Sequence, residues 1–372
     1  MLGSGYPTGE VPEVALAVAA GLEAASAAAR LAAKADDAGK FLERSKLISE
    51  HVRKKLLDDR GFLSLCRDTG GRLRADETAD MAVAAYRHPF MDSAEQAAAH
   101  RLMEKDFDTA FGPRCVPTTN AVYFSSTYGD GQLGGVWTRA ALAHALLCYR
   151  TGLAGMGGLS MAKVARLVVE DQLKLGGVPG EFPCWVDPEK REAHGGPDPV
   201  SAARFLEVLM EGELGLPEGA DRPALAPAQG STLGWLMATD FWAGAASSAF
   251  VGRGGGRAHI FCSGERLEAR SGSRFAKSER LETQQRGVFA VSFYTPGQVI
   301  CLGNASGSAV RSPLSFPPRA AEFAKRLSTP LEEYDPAKGA WTKTGSIRVS
   351  PAMSFEASIP ANGWKAYRVS TG

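Results

Sequence analysis

The stretch LGLPEGADRPALAPAQGST, residues 214–232, separates two parts of the chain that have different sequence patterns. Its proline and glycine residues interrupt helices and strands alike. Before this stretch, apolar residues recur at helical spacing. After it, short runs such as residues 257–263 alternate apolar with polar residues between turn-forming pairs. We therefore predict a helical domain over residues 1–216 and, over residues 217–372, a linker followed by an antiparallel β-sandwich.

The helical part is predicted to consist of about seven helices, whose connections alternate between short and long. The predicted helices cover residues 11–34, 38–57, 77–88, 92–106, 136–151, 159–175 and 199–212. Long connections follow every second helix, at residues 58–76, 107–135 and 176–198. Helical hairpins stacked in a ring place alternate connections on one face, and long loops on a rigid scaffold commonly carry function. This pattern predicts an (α/α) barrel or a partial toroid of helical hairpins.

The composition is that of an ordinary globular protein. The chain has 372 residues, of which 44% are hydrophobic and 22% charged, so wholesale disorder is excluded. The formal net charge is +1, without the basic excess that is typical of nucleic-acid-binding proteins. No uninterrupted apolar run is long enough to predict a transmembrane helix, and the N-terminus lacks the pattern of a signal peptide. We therefore expect a cytoplasmic protein without a nucleic-acid or membrane partner.

The six cysteines, at positions 66, 115, 148, 184, 262 and 301, form no Cys-x-x-Cys pair. We find none with the spacing to a histidine that is typical of a metal site. A chain of this length builds a core without disulfides, so the cysteines are predicted to be structural thiols. His144 lies on a mostly apolar helix face and is predicted to be a buried core residue. The sequence therefore predicts neither a metal nor another cofactor.

The third long connection carries the strongest candidate for acid–base chemistry. Glu181 lies there close to Phe182 and Trp185, within a stretch of glycines and prolines. An aromatic environment can shift the pKa of a carboxyl group into the range that general acid or base catalysis requires. Aromatic faces also suit stacking on the apolar C–H faces of sugar rings. The alternative is that Glu181 is a solvated loop residue and that Trp185 fills a gap beneath the loop.

The other two long connections supply further candidates. In the second, Tyr128 and Asp130 precede a predicted helix that begins near Trp137 and Arg139. Free backbone N–H groups at a helix start can bind a ligand, although Trp137 would equally serve as a core residue. The first connection ends at Asp76, at the start of a predicted helix, where capping and the helix dipole also favour an acid.

Taken together, three motifs resemble those of (α/α)6-barrel glycoside hydrolases. They are Tyr128 followed by Gly134-Gly135-Val136-Trp137, then Pro179-Gly180-Glu181-Phe182 with Asp187-Pro188, and then Ser201-Ala202-Ala203-Arg204-Phe205-Leu206 with Glu211-Gly212-Glu213-Leu214-Gly215. The closest likeness is to bacterial glycogen-debranching and amylo-alpha-1,6-glucosidase-like proteins and to processing alpha-glucosidases. The likeness runs over residues 8–216, and the order and spacing of the motifs are more specific than any one of them.

The resemblance implies a glycoside hydrolase, or the part of one that bears the catalytic base, which cleaves an alpha-glucan or a related oligosaccharide with inversion. It gives Glu181 the role of the base that activates water. The candidate substrate-binding residues are Tyr128, Trp137, Arg139, Phe182 and Trp185.

The general acid of the resembled family has no match in this chain. In that family it is an aspartate upstream of the helix that resembles residues 11–22, so it would lie before the start of this sequence. Inversion requires a second carboxylate about 6.5–9.5 Å from the first. Asp130 and Asp76, on loops of the same predicted face, are the candidates to replace it. A partial ring would expose apolar helix flanks, so we expect an oligomer or a missing N-terminal half to complete it.

Two other functions fit the same residues. A carbohydrate-binding or assembly protein would keep the fold without the general acid. A polysaccharide lyase can also combine a helical toroid with a β-sandwich, but its base would be a tyrosine or histidine. An acidic polysaccharide would further require a basic cleft, for which the long loops offer only Arg114, Arg139, Lys190 and Arg191.

Overall fold

The chain divides into two compact units, Met1–Leu209 and Met210–Gly372, in a computed structural model. The structure describes residues 9–58, 61–64, 66–74, 78–79, 90–119, 134–216, 223–243, 245–269, 273–294, 297–318, 328–349 and 352–369. Among these residues, the first unit contains six α-helices. They are α1 (Pro12–Leu31), α2 (Ala35–Leu56), α3 (Ser93–Asp106), α4 (Thr138–Arg150), α5 (Ala154–Arg166) and α6 (Pro199–Glu207).

The helices of the first unit pack as hairpins wherever their connection is short. Helix α1 packs along α2, and α4 packs along α5. An apolar cluster that includes Leu16, Val52, Leu56 and Met103 joins α1, α2 and α3. Two helices end in wider turns: α5 continues as a π-helical turn, Leu167–Asp171, and α6 as the π-helical turn Val208–Glu213.

Helix α1 is long and apolar enough to span a membrane by length and composition alone. Leu16 and Ala19 of this helix are nevertheless buried, and α1 packs along α2. Core helices of soluble proteins and signal sequences have the same composition, so this helix is weak support for a membrane span. The absence of a membrane partner stays a prediction.

Short strands occupy part of what the sequence predicts to be loops. Strands β1 (Cys66–Arg67) and β2 (Leu73–Arg74) form one antiparallel pair. Strands β3 (Val136–Trp137), β4 (Pro183–Asp187) and β5 (Glu192–Pro197) form an antiparallel sheet in that order. The predicted helix over residues 136–151 therefore begins only at Thr138, because the two preceding residues pair with β4. The predicted helix over residues 77–88 lies largely outside the described residues.

The second unit is built from strands. In chain order they are β6 (Ala224–Leu225), β7 (Trp235–Trp242), β8 (Ala246–Gly254), β9 (Arg257–Ser263), β10 (Glu268–Ala269), β11 (Ser273–Phe275), β12 (Lys277–Leu281), β13 (Val288–Tyr294), β14 (Gln298–Asn304), β15 (Val310–Phe316), β16 (Ser328–Asp335), β17 (Ala340–Arg348), β18 (Met353–Ile359) and β19 (Trp364–Val369). A six-stranded antiparallel sheet has the order β12-β13-β14-β19-β16-β17, and a four-stranded sheet has the order β11-β9-β8-β7. Strands β15 and β18 form a separate antiparallel pair.

The six-stranded sheet lies in the middle of the second unit, with both of its faces covered. On β14, Ile300 and Leu302 belong to an apolar cluster with the β15–β18 pair. The alternate residues Val299 and Cys301 belong to a second cluster with Phe250 of the four-stranded sheet. Since successive residues of a strand point to opposite faces, β14 is buried along its whole length. The sandwich predicted from the sequence thus has an additional layer.

The change from helices to strands that the sequence predicts is confirmed. The six described helices do not show a closed (α/α) barrel. The strand pairings also differ in part from a purely antiparallel sandwich, because β11 pairs with β9, and β10 with β6, in parallel.

Candidate functional site

The three-stranded sheet β3-β4-β5 brings together most of the described candidate residues. Trp137 of β3 pairs with Trp185 of β4, and Trp185 pairs on its other side with His194 of β5. Directly opposed residues on antiparallel strands place their side chains about 4.5–5.5 Å apart on the same face. Backbone pairing therefore aligns two tryptophans and a histidine across the sheet.

Glu181 lies just before β4, and its side chain is exposed. Its backbone is fixed on both sides: the Glu181 N–H donates to the Val178 carbonyl over 3.1 Å, and its carbonyl accepts from Gln172 Nε2 over 3.0 Å. The next residue, Phe182, packs against Phe205 with ring centroids 5.4 Å apart. A solvent-accessible carboxylate thus projects from a rigid backbone beside an aromatic pair.

Trp137 and Arg139 form a contact of their own at the start of α4. The Arg139 guanidinium lies 4.7 Å from the centroid of the Trp137 ring, within the range of a cation–π interaction. The hydroxyl of the buried Thr138 donates to the Pro183 carbonyl over 2.7 Å, which ties the helix start to β4. The cation and the ring are therefore held beside the strand that follows Glu181.

Trp185 is enclosed by its own sheet. Its side chain is 4% exposed, and the His194 ring stacks on it at 4.1 Å with an interplanar angle of 14°. His194 Nε2 is buried without a hydrogen-bond partner among the described residues, and a Glu192 oxygen lies 3.6 Å away. The imidazole thus occupies the face on which a sugar ring would stack, and the sugar-binding role of Trp185 stays a prediction.

The remaining candidates, Asp76, Tyr128 and Asp130, lie outside the described residues. The structure therefore places Glu181 and Phe182 just before β4, Trp137 and Trp185 within the sheet, and Arg139 of α4 over the Trp137 ring.

Asp187 stabilises the turn between β4 and β5, a role that its place in the motif does not indicate. Its side chain is 1% exposed, and its Oδ1 accepts hydrogen bonds from the backbone N–H groups of Glu189 and Lys190, both over 3.0 Å. This is the usual way in which aspartate stabilises a turn. Arg114 Nη1 also donates to Glu189 over 2.8 Å, so the β4–β5 turn is anchored from outside the hairpin.

Cys184 on β4 lies between two charges of the site. Burial raises the pKa of its thiol, the nearby Asp198 carboxylate raises that pKa further, and Arg139 opposes both effects. Asp198 itself caps α6 by accepting from the Val200 N–H over 3.1 Å and from the Ser201 hydroxyl over 2.7 Å. Because a raised pKa lowers the fraction of thiolate, this thiol is a weak nucleophile.

A second cluster of chemically active side chains lies between α3 and α4. His100, His144 and Cys148 are all buried, and they offer ligand atoms within 4.8 Å of one another. Burial lowers the pKa of His144 to about 3, with smaller effects from His100 and Lys163, and burial lowers the pKa of His100 to about 4. Burial also raises the pKa of the Cys148 thiol, and Glu104 adds to this.

His144 is buried, as predicted. The statement that no cysteine has metal-type spacing to a histidine is wrong for His144 and Cys148. Four residues of helix put them on one face, a spacing that the sequence already contained. The third member, His100, is distant in sequence and becomes a neighbour only through helix packing.

No known protein family and no curated protein matches the chain. Several solved structures, however, are similar to it. A sialidase is similar over 68% of this chain and 25% of its own, at 16% identity and a TM-score of 0.55. A GH78 family rhamnosidase of Bacillus sp. GL1 is similar over 69% of this chain and 25% of its own, at 16% identity and a TM-score of 0.47. A GH63 mannosylglycerate hydrolase from Thermus thermophilus is similar over 53% of this chain and 45% of its own, at 18% identity and a TM-score of 0.40.

These solved structures are glycoside hydrolases by name. Of the three, the sialidase has a TM-score above 0.5, and at 16% identity that similarity shows a shared fold alone. This chain spans about a quarter of the length of that sialidase.

Proposed function

We propose that the chain is a glycoside hydrolase, or the base-bearing portion of one, that acts on an alpha-glucan or a related oligosaccharide with inversion. The observation that carries the proposal is the exposed Glu181 carboxylate on a backbone fixed by hydrogen bonds at the edge of an aromatic hairpin. The fold shared with the sialidase supports the same class of activity.

In this mechanism, Glu181 accepts a proton from a water molecule while that water attacks the anomeric carbon. A second carboxylic acid, for which we propose Asp130 or Asp76, donates a proton to the leaving oxygen. The two carboxyl groups of an inverting enzyme lie about 6.5–9.5 Å apart, which leaves room for the water. Trp137 with Arg139, together with Phe182, offers apolar and cationic surface to the sugar hydroxyls and C–H faces.

The test is hydrolysis of a panel of alpha- and beta-linked oligosaccharides by the purified chain and by Glu181→Gln. The substitution keeps the shape of the side chain and removes its basicity, so the rate is expected to fall by about 10²–10⁴-fold. Glu192→Gln, an exposed acid of the same hairpin, is the matched control and is expected to keep the wild-type rate.

Product analysis separates the alternatives. Release of the inverted anomer supports the proposal, and Asp130→Asn and Asp76→Asn then identify the acid. Equal rates for wild type and Glu181→Gln would remove Glu181 from the mechanism. Unsaturated, ultraviolet-absorbing ends would identify a polysaccharide lyase instead.

A second candidate function, carbohydrate binding without hydrolysis, is favoured by a pocket in the second unit. The pocket has a volume of about 360 Å³, and Arg257, His259 and Tyr334 are among the residues that line it. The Tyr334 hydroxyl lies 3.0 Å from His259 Nδ1, so the two aromatic side chains are held in place. Glycan binding by a folded chain that releases no sugar, abolished by Arg257→Ala, would support this function.

A further inference from the structure

Helices α3 and α4 face each other at three side chains that are all good metal ligands. His100 comes from α3, and His144 and Cys148 come from α4. Residues four positions apart on a helix lie one above the other on the same face. The three side chains are 2%, 4% and 0% exposed, respectively, so the cluster is closed to solvent in the folded chain.

The distances between these atoms match those of a coordination sphere. Cys148 Sγ lies 3.4 Å from His100 Nδ1 and 3.7 Å from His144 Nε2. Zn–S bonds of about 2.3 Å and Zn–N bonds of about 2.0–2.1 Å at tetrahedral angles place sulfur and nitrogen about 3.6 Å apart. The two sulfur–nitrogen distances therefore fit a common ion, and all three ligand atoms lie within 4.8 Å of one another.

Hydrogen bonding alone satisfies this cluster poorly. A thiol is a weak donor and a weak acceptor, and it is the shared partner of both imidazoles. His100 Nε2 is buried without a hydrogen-bond partner among the residues that the structure describes. Coordination would replace the two weak contacts to sulfur by bonds from Cys148 Sγ, His100 Nδ1 and His144 Nε2 to an ion, and it would fix the proton of His100 on Nε2.

The surroundings of His144 also fit a ligand. Histidines that bind metal usually direct their other ring nitrogen toward a hydrogen-bond acceptor, which fixes the ring. The hydroxyl oxygen of Ser160, on α5, lies 3.5 Å from His144 Nδ1. The nearby cation Lys163 is held by Asp108 over 2.5 Å, so its charge is largely balanced.

We propose that His100, His144 and Cys148 bind one Zn²⁺ ion between α3 and α4. Zinc takes mixed sets of imidazole and thiolate ligands at the bond lengths given above. The ion would join two helices that are distant in sequence, and it has no part in the hydrolysis proposed for Glu181. Success or failure of the hydrolysis test therefore leaves this proposal untouched.

Binding is an exchange of a proton for the metal, without oxidation or reduction. The Cys148 S–H bond breaks, the proton leaves to solvent, and the sulfur lone pair forms the Zn–S bond. Both imidazoles bind through lone pairs of neutral rings. Because the site is closed in the folded chain, the ion is expected to enter during folding or local opening.

The experiment uses the whole chain, unfolded with a chelator and refolded with Zn²⁺, with Co²⁺ or without metal. We expect one ion per chain after dialysis, a higher melting temperature with metal, and thiolate-to-Co²⁺ charge-transfer absorption in the near ultraviolet. Cys148→Ala is expected to abolish that absorption. Cys301→Ala removes an equally buried thiol in the second unit and is expected to retain it.

The histidine variants provide a graded readout. Removing a residue that only hydrogen-bonds to a metal ligand typically weakens metal binding about 10–100-fold. His100→Gln and His144→Gln remove a ligand itself, so each is expected to weaken Co²⁺ binding at least as much. A folded wild-type chain that holds no stoichiometric metal, or a Cys148→Ala chain that keeps the charge-transfer absorption, would overturn the proposal. If Cys148→Ala does not fold, X-ray absorption of the zinc-loaded wild type decides: one sulfur with nitrogen neighbours supports the site, and a shell without sulfur refutes it.

Discussion

Arg253 Nη2 donates to Glu213 Oε2 over 2.6 Å, and the Glu213 side chain is completely buried. The Ser231 hydroxyl donates to the other carboxylate oxygen, also over 2.6 Å. Glu213 belongs to the Glu-Gly-x-Leu-Gly motif, one of the three on which the sequence resemblance to glycosidases rests. In this structure its carboxylate binds Ser231 and Arg253 at the start of the second unit. The motif therefore has a structural function here.

Removing the arginine of this ion pair while the glutamate remains is expected to destabilise the second unit strongly. Arg253→Met leaves the buried Glu213 carboxylate without its cation, which should lower the free energy of unfolding of the second unit by about 3–5 kcal/mol. Urea denaturation measures the change. Lys338→Met, which removes an exposed partner of Asp335, should change stability by less than about 1 kcal/mol. Similar small effects for both variants would contradict the role assigned to the buried pair.

Gly215, in the same motif, is expected to tolerate no side chain. Its φ is +63°, and a Cβ atom would lie 1.9 Å from the Ala226 carbonyl oxygen. Gly256 also has a positive φ, +75°, but open space where its Cβ would lie. Gly256→Ala should therefore cost only the left-handed strain, about 1–2 kcal/mol, and Gly215→Ala clearly more. Equal melting temperatures of the two variants would show that the backbone near Ala226 yields readily.

Trp185 is expected to contribute more to stability than an exposed tryptophan does. Trp185→Ala opens a cavity under the His194 ring and should lower the free energy of unfolding of the first unit by about 3–5 kcal/mol. Trp242, which is 77% exposed, is the control, and Trp242→Ala should stay within about 0.5 kcal/mol. Thermal unfolding followed by circular dichroism tests both. Unchanged stability of Trp185→Ala together with lost sugar binding would instead favour the stacking role.

The start of α3 is expected to weaken in acid. The hydrogen bond from the Glu95 backbone N–H lowers the pKa of Asp92, the Ala94 N–H and the Arg53 charge lower it further, and partial desolvation opposes them. Because the folded pKa lies below the unfolded value of about 3.9, the stabilisation is complete above that value and is lost as pH falls through the folded pKa. Carboxyl NMR titration gives the direction. Asp92→Asn keeps an N-cap and should remove the acid dependence, and an unshifted Asp92 signal would contradict the prediction.

The helices were predictable because their pattern is local. Helix α3 begins at a capping box formed by Asp92 and Glu95, and it ends at Asp106, the last residue of the helix predicted over residues 92–106. The β4–β5 hairpin was not predictable in the same way. Its sequence is rich in glycine, proline and charge, and pairing with β3 rather than local propensity makes it a sheet. Strand β14 differs from the prediction in another way. A two-layer sandwich requires apolar and polar residues to alternate along a strand, but β14 is buried on both faces and lacks that alternation.

The candidate site also combines features that are visible in the sequence with features that only the folded chain reveals. Glu181 stands out in the sequence because an acid among aromatics and glycines is unusual, and the structure leaves its carboxylate exposed. The stacking of His194 on Trp185 depends on strand register, which no spacing in the sequence reveals. Likewise, His144 and Cys148 form a visible pair on one helix, while His100 joins them only through packing.

The distribution of thiols makes Cys184 a natural position for a reporter group. Five of the six cysteines are buried, and Cys184 alone is partly accessible. It lies three positions after Glu181, at the strand that the aromatic side chains flank. A maleimide fluorophore or spin label should therefore attach at one place in the native chain, slowly because the pKa of this thiol is raised. Occupancy of the neighbouring surface by any ligand can then be followed as protection from labelling, before a substrate or a product is known.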